Sequence, residues 1–169
     1  MRGKPTSHSA SGLQEQLSLI DNLPGMAYRC RNARDWPMLF VSQGCVELSG
    51  YTPDALLDAR PGWGDLVHPD DRESVWQAVQ EAVERGERFE IQYRIVTKDG
   101  QCRWVWERGR ALETDGNGVH LEGFVSDITL QREKELELER AKAYATAIVE
   151  TAAEGIVLVD AEFQIESVN

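Results

Sequence analysis

The stretch Gly123-Phe124-Val125-Ser126-Asp127-Ile128-Thr129 passes an apolar, strand-like run straight into the charged helical sequence Gln131 to Arg140. A strand continuous with a helix has no loop to absorb movement. The junction therefore restricts the chain to folds in which the last strand of a sheet launches a helix, and it predicts a relay: a distortion of the sheet reaches the helix directly. Asp127 and Thr129 are the residues assigned to that transfer, because a carboxylate and a hydroxyl at a strand end can hydrogen-bond to the free amides that open the next helix.

Three strands are predicted before the junction. Phe89, Ile91, Tyr93 and Ile95 alternate with Glu90, Gln92 and Arg94, the period-2 pattern of a half-buried strand. Asp99-Gly100 supplies hairpin-turn residues before Gln101 to Leu112, and Asp115-Gly116-Asn117-Gly118 supplies a second turn before His120 to Ile128. Together they make an antiparallel meander. Upstream, Pro69 suits a first helical position, Asp70 and Asp71 set negative charge on the positive end of that helix, and Val75, Trp76, Val79, Ala82 and Val83 form its apolar face up to Gly86.

Met26 to Cys30 and Met38 to Ser42 read as a hairpin, and Gly44 to Leu57 as short helices, one capped by Thr52 ahead of Pro53. Leu13, Leu17, Ile20 and Leu23 recur at helical spacing until Pro24-Gly25, which predicts a short leading helix. Residues 1–12 have no periodicity and are expected to be a disordered lead-in. The expected fold class is α+β, an antiparallel sheet with helices on one face.

Composition narrows the partners. Twenty-nine acidic residues against eighteen basic give a formal charge of −11, which repels nucleic acid and anionic membrane surfaces over a Debye length of roughly 8–10 Å. Cys30, Cys45 and Cys102 lack the close spacings of a zinc site or redox dithiol, and are expected to be reduced packing thiols of a cytoplasmic protein. No apolar run approaches the roughly 20 residues that span a bilayer.

Several local patterns then fall into one order: Tyr51-Thr52-Pro53-Asp54-Ala55-Leu56 after a glycine, Trp63 before Leu66-Val67-His68-Pro69-Asp70-Asp71-Arg72, Tyr93-Arg94 with Lys98-Asp99-Gly100, Arg103-Trp104-Val105, and Gly123 with Asp127-Ile128-Thr129. In that order and spacing the chain resembles a PAS domain followed by its PAC motif, of the sensory-box type found in bacterial histidine kinases and cyclic-di-GMP enzymes. The resemblance implies a five-stranded sheet curved around a small cavity, with ligand sensing or dimerisation and signal transfer as function. Catalysis would belong to an output domain elsewhere in the parent. Family members bind flavin, haem, small acids or nothing, so the cofactor stays open, and a photoadduct is not expected because the motif that bonds flavin covalently has no cysteine here.

An internal echo extends the resemblance. Ile148 to Asp160 repeats the pattern of Leu19 to Tyr28, and Val168-Asn169 repeats Val41-Ser42. The organisation expected is a lead-in over 1–12, a PAS/PAC domain over 13–129, a signal-linker helix over 130–148 and the start of a second PAS domain over 149–169. Leu138, Ala141, Ala145 and Ile148 form a short coiled-coil-like seam on the linker, which predicts a parallel homodimer joined covalently to downstream PAS and output domains.

The side chains with chemistry are mostly explained by structure. His68, ahead of Pro69, is expected to serve a cap or turn, and the three scattered histidines make no metal constellation. No nucleophile, base and orienting group occur together, so no enzyme is expected. Tyr28, Trp63, Trp76, Tyr93, Trp104 and Trp106 are the candidates for the cavity or an interface. Trp104 and Trp106, two apart on a strand, share one side of the sheet, where core or interface packing is favoured over ligand contact.

Overall fold

The computed structural model describes residues 20–114, 118–154, 157–159 and 165–168. Two compact units divide the chain, Met1–Thr129 and Leu130–Asn169. In the first, strands β1 (Met26–Arg31), β2 (Met38–Val41), β3 (Arg88–Val96), β4 (Cys102–Thr114) and β5 (Gly118–Asp127) form a sheet in the order β2-β1-β5-β4-β3. Every neighbouring pair is antiparallel. The α+β class and the five strands are those expected, while the pairing of β1 with β5 closes a sheet whose ends lie far apart in sequence.

Helices α1 (Cys45–Ser49), α2 (Pro53–Leu57), α3 (Trp63–Leu66) and α4 (Arg72–Arg85) lie between β2 and β3. Thr52 caps α2 as expected, its hydroxyl accepting from the Ala55 amide at 3.4 Å. Val75, Val79 and Ala82 of α4 are buried, with Trp76 and Val83 half-buried beside them. Burying each such valine contributes about 1.5–3 kcal/mol, enough to fix which side of the helix meets the core. Gly86 ends α4 at a φ of 66°, a left-handed conformation that glycine adopts without penalty.

The start of this helix differs from expectation. Pro69–Asp71 forms a 3-10 turn, and the His68 ring accepts from the Asp70 amide at 3.3 Å, the turn role foreseen for it. Asp71 makes no capping bond to α4. Its carboxylate instead holds Arg94 on β3, through Nε at 3.0 Å, a terminal nitrogen at 2.5 Å and the backbone amide at 2.9 Å. The Arg94 side chain thus keeps the Asp71 carboxyl below its ordinary range, and the pair ties the head of α4 to the sheet.

One row across the sheet shapes the core. Phe89, Gly109, Gly123 and Tyr28 are successive cross-strand partners on β3, β4, β5 and β1. A Cβ on Gly109 would lie 2.4 Å from the Phe89 ring, and one on Gly123 would lie 2.9 Å from the Tyr28 hydroxyl. Two large rings therefore fold over two glycines, an arrangement any side chain there would prevent.

In the second unit, α5 (Thr129–Glu154) runs past the expected boundary at residue 148. Its later turns match the first copy of the internal echo, where Ile20 and Asp21 are helical. Strands β6 (Val157–Val159) and β7 (Ile165–Val168) pair antiparallel. The expected lead-in over 1–12, residues 13–19 of the leading helix and 115–117 of the second turn lie outside the described residues.

Candidate functional site

Strand β4 points Val105, Glu107 and Gly109 into the core and leaves Trp104, Trp106, Arg108 and Arg110 on the other face. Glu107 is thus a carboxylate in an apolar interior, 7% exposed. The Tyr28 hydroxyl donates to Oε1 and the Tyr93 hydroxyl to Oε2 at 2.6 Å. The Trp63 indole N–H donates in turn to the Tyr93 oxygen at 3.0 Å. Residues from β1, β3, β4 and α3 meet in this one cluster, and among the described residues no buried side-chain polar atom lacks a partner.

No cation joins the cluster among the described residues, and that governs its electrostatics. Burial drives the Glu107 pKa upward, and the two tyrosine hydrogen bonds oppose the shift only in part. Burial and the neighbouring Glu107 raise both tyrosines well above their ordinary range and push the Cys30 thiol up as well. Trp36, Phe89, Cys30 and the cluster surround a cavity of about 10 Å³, room for roughly one water molecule. A tricyclic flavin does not fit this packing, since the rings of Tyr28, Trp63, Phe89 and Tyr93 occupy the space.

Of the expected cavity residues, Tyr28, Trp63 and Tyr93 line it. Trp76 does not; it packs on Trp36 with ring centroids 5.2 Å apart, under the Arg34 guanidinium at 4.8 Å. Trp104 and Trp106 stand on the outer face, where Arg94 lies 5.8 Å from the Trp104 ring and the Trp106 indole donates to Glu90 at 3.1 Å. Sequence reasoning missed Glu107 and Trp36. For Glu107 the signal was present: alternation along Trp104, Val105, Trp106 and Glu107 puts an acid on the side of Val105. Trp36 sits in a polar loop at a φ of 48°, with no periodicity to reveal it.

Four residues along β4 from Glu107, the strand-to-helix junction is bonded twice. The Asp127 carboxylate accepts from the Thr129 amide at 2.8 Å, the capping expected of it. Its other oxygen takes Arg103 of β4 at 3.3 Å, and Arg103 also donates to the Glu47 and Leu48 carbonyls at the end of α1. Thr129 differs from expectation: its hydroxyl accepts from the Trp104 amide at 2.9 Å, so it holds the helix start to the sheet and caps no helix amide. Asp127→Ala and Thr129→Val should each cost about 1 kcal/mol in the urea midpoint, and the pair should cost more than the sum because both fasten one turn. Strict additivity would show that the bonds act separately.

On α5 the seam residues Leu138, Ala141, Ala145 and Ile148 are exposed, Leu138 by 55% and Ile148 by 51%. Among the described residues no group of histidine, cysteine, aspartate and glutamate could hold a metal, and no helix is long and apolar enough to cross a membrane.

A five-stranded antiparallel sheet, helices on one side and a terminal strand that launches a helix define a sensory fold. The chain belongs to the PAS fold family, whose profile matches residues 38–125, over half its length. It is 36% identical over 102 residues to the methyl sulfide methyltransferase-associated sensor of Methanosarcina acetivorans, covering 59% of this chain and 10% of that protein. It is 33% identical over 132 residues to the blue-light-activated histidine kinase of Brucella ovis, covering 78% of this chain and 26% of that one. The chain thus spans a minor part of both relatives. A sensory box histidine kinase/response regulator from Burkholderia thailandensis shares the fold, with a TM-score of 0.59 and 24% identity over 80% of this chain and 98% of that one.

Proposed function

We propose that this chain is the sensory and signal-transfer module of a multidomain bacterial signalling protein, a histidine kinase or a cyclic-di-GMP enzyme, acting in the cytoplasm. The observation that carries the reading is the placement of both sites on β4: Glu107 lies at its buried centre, and Arg103 and Trp104 near one end hold Asp127 and Thr129. A change at the carboxylate alters how β4 sits against β3 and β5, and the junction converts that into a shift of α5. Two helix arrangements of unequal stability are all the mechanism requires. The seam Leu138, Ala141, Ala145 and Ile148 pairs α5 with its counterpart in a homodimer. The second PAS domain receives the movement, and catalysis lies in an output domain of the parent.

The small cavity supports a second reading, a ligand-free PAS scaffold that mediates dimerisation alone. Single cysteines at 138, 141, 145 and 148, oxidised in the parent background and in Glu107→Gln, separate the two. A relay predicts cross-linking that moves from one seam position to the next between backgrounds. Identical patterns would leave only the scaffold.

A further inference from the structure

Hydrogen-bond accounting separates the two tyrosines that hold Glu107. The Tyr93 oxygen already accepts the Trp63 indole N–H at 3.0 Å, while its own hydrogen goes to Oε2 at 2.6 Å. Among the described residues the Tyr28 hydroxyl bonds Glu107 Oε1 and no other atom. A phenol donates one hydrogen and accepts at its lone pairs. A proton arriving on Oε2 would therefore meet an oxygen already in use, whereas one arriving on Oε1 is received by Tyr28, whose bond to the acid reverses direction. The Tyr28 hydrogen then turns into the adjoining cavity of about 10 Å³, where one water can accept it.

The surroundings single out Glu107 as the group that exchanges this proton. The cavity walls come from all five strands, from α3 and α4 and from the loop at Trp36, and among them Tyr28, Cys30, Tyr93 and Glu107 are the ionisable side chains. Burial pushes the two phenols and the thiol up, away from neutrality. The same burial moves the acid toward it. Trp36 and Val75 also line a surface cleft of about 200 Å³ with Asp65 and Arg72, so the cavity lies one side chain's depth from that cleft. Tyr28 in turn is the cross-strand partner of Gly123 on β5, the strand that ends in Asp127.

We propose that the input to this domain is a proton, bound by Glu107 at Oε1 and accepted there by Tyr28, so that the domain responds to the acidity around it. What the proton does next rests on the relay proposed above; where it binds does not.

Nuclear magnetic resonance of the full chain with isotope-labelled glutamate carboxyl carbons tests it, Glu107→Gln supplying the assignment. The Glu107 carbon should titrate between about pH 5 and about pH 9. Tyr93→Phe removes a bond that favours the charged acid and should raise its proton affinity about tenfold. Tyr28→Phe removes a donor to the charged form and an acceptor from the neutral form together, so it should change that affinity by about threefold or less. A carbon that keeps one shift over this range overturns the proposal, and that result needs no variant to fold. With both variants folded by circular dichroism, an increase for Tyr28→Phe as large as that for Tyr93→Phe overturns it too. Cross-linking of the seam cysteines at the two ends of the titration keeps the readings apart. A titrating carbon with an unmoved pattern refutes the relay and upholds the proton site, whereas a constant carbon refutes the proton site and leaves the relay to the Glu107→Gln comparison.

Discussion

Gly123→Ala is expected to destabilise the PAS domain by about 3 kcal/mol, at the upper end for inserting one carbon into a packed core, and to lower Tm by about 15 °C. The new Cβ would stand 2.6 Å from the Arg108 carbonyl oxygen and 2.9 Å from the Tyr28 hydroxyl. Neither can yield freely. The carbonyl belongs to the β4 ladder, and the hydroxyl is committed to Glu107. Tyr28→Phe in the same chain should therefore bring no net recovery, because it removes the side-chain clash but leaves the backbone one and takes a hydrogen bond from the buried Glu107. Thermal melts of the single and double variants measure both quantities, and a Gly123→Ala protein as stable as its parent would contradict the packing described for this row.

Glu107→Gln should change how stability depends on pH. The folded pKa of Glu107 is raised above the ordinary 4.5, so the fold prefers the protonated acid. Its contribution is complete below 4.5 and is lost as pH rises through the folded value. Glutamine stays neutral and loses nothing over that interval. The urea midpoint of the variant should accordingly gain on that of the parent as pH increases, by about 1.4 kcal/mol for every tenfold change in proton affinity. Asp71 and Glu122 have pKa values lowered by their arginines and shift stability the opposite way. Both proteins carry them, so they cancel in the difference. A gap that is constant with pH would show that Glu107 is ionised in the fold at no cost.

Much of this architecture could be read locally. Alternation in Phe89 to Ile95, the turn at Asp99-Gly100, Thr52 before Pro53 and the strand that runs into Gln131 each depend on neighbours a few residues away, and the structure has all of them. The order of PAS-like motifs gave the family for the same reason. Asp127 as a cap followed from strand-end chemistry, since a carboxylate two residues before a helix amide needs no distant partner to be placed.

The errors lie where partners are distant in sequence. Thr129 meets Trp104 rather than a helix amide, and Asp71, at the helix start as expected, also holds Arg94 on a strand 23 residues away, a partner no local pattern announced. Trp104 and Trp106 were rightly put on one face together, but periodicity of two cannot say which face is the core. Glu107 shows the limit most plainly. Sequence by itself determined the strands, the turns, the family and the junction, because those are set by short-range sterics and side-chain period. Only tertiary structure decided that β1 pairs with β5 and that Tyr28, Tyr93 and Trp63 converge on one buried acid. That acid's raised proton affinity follows from its burial among apolar side chains, a property of the packed interior that no local stretch of chain possesses.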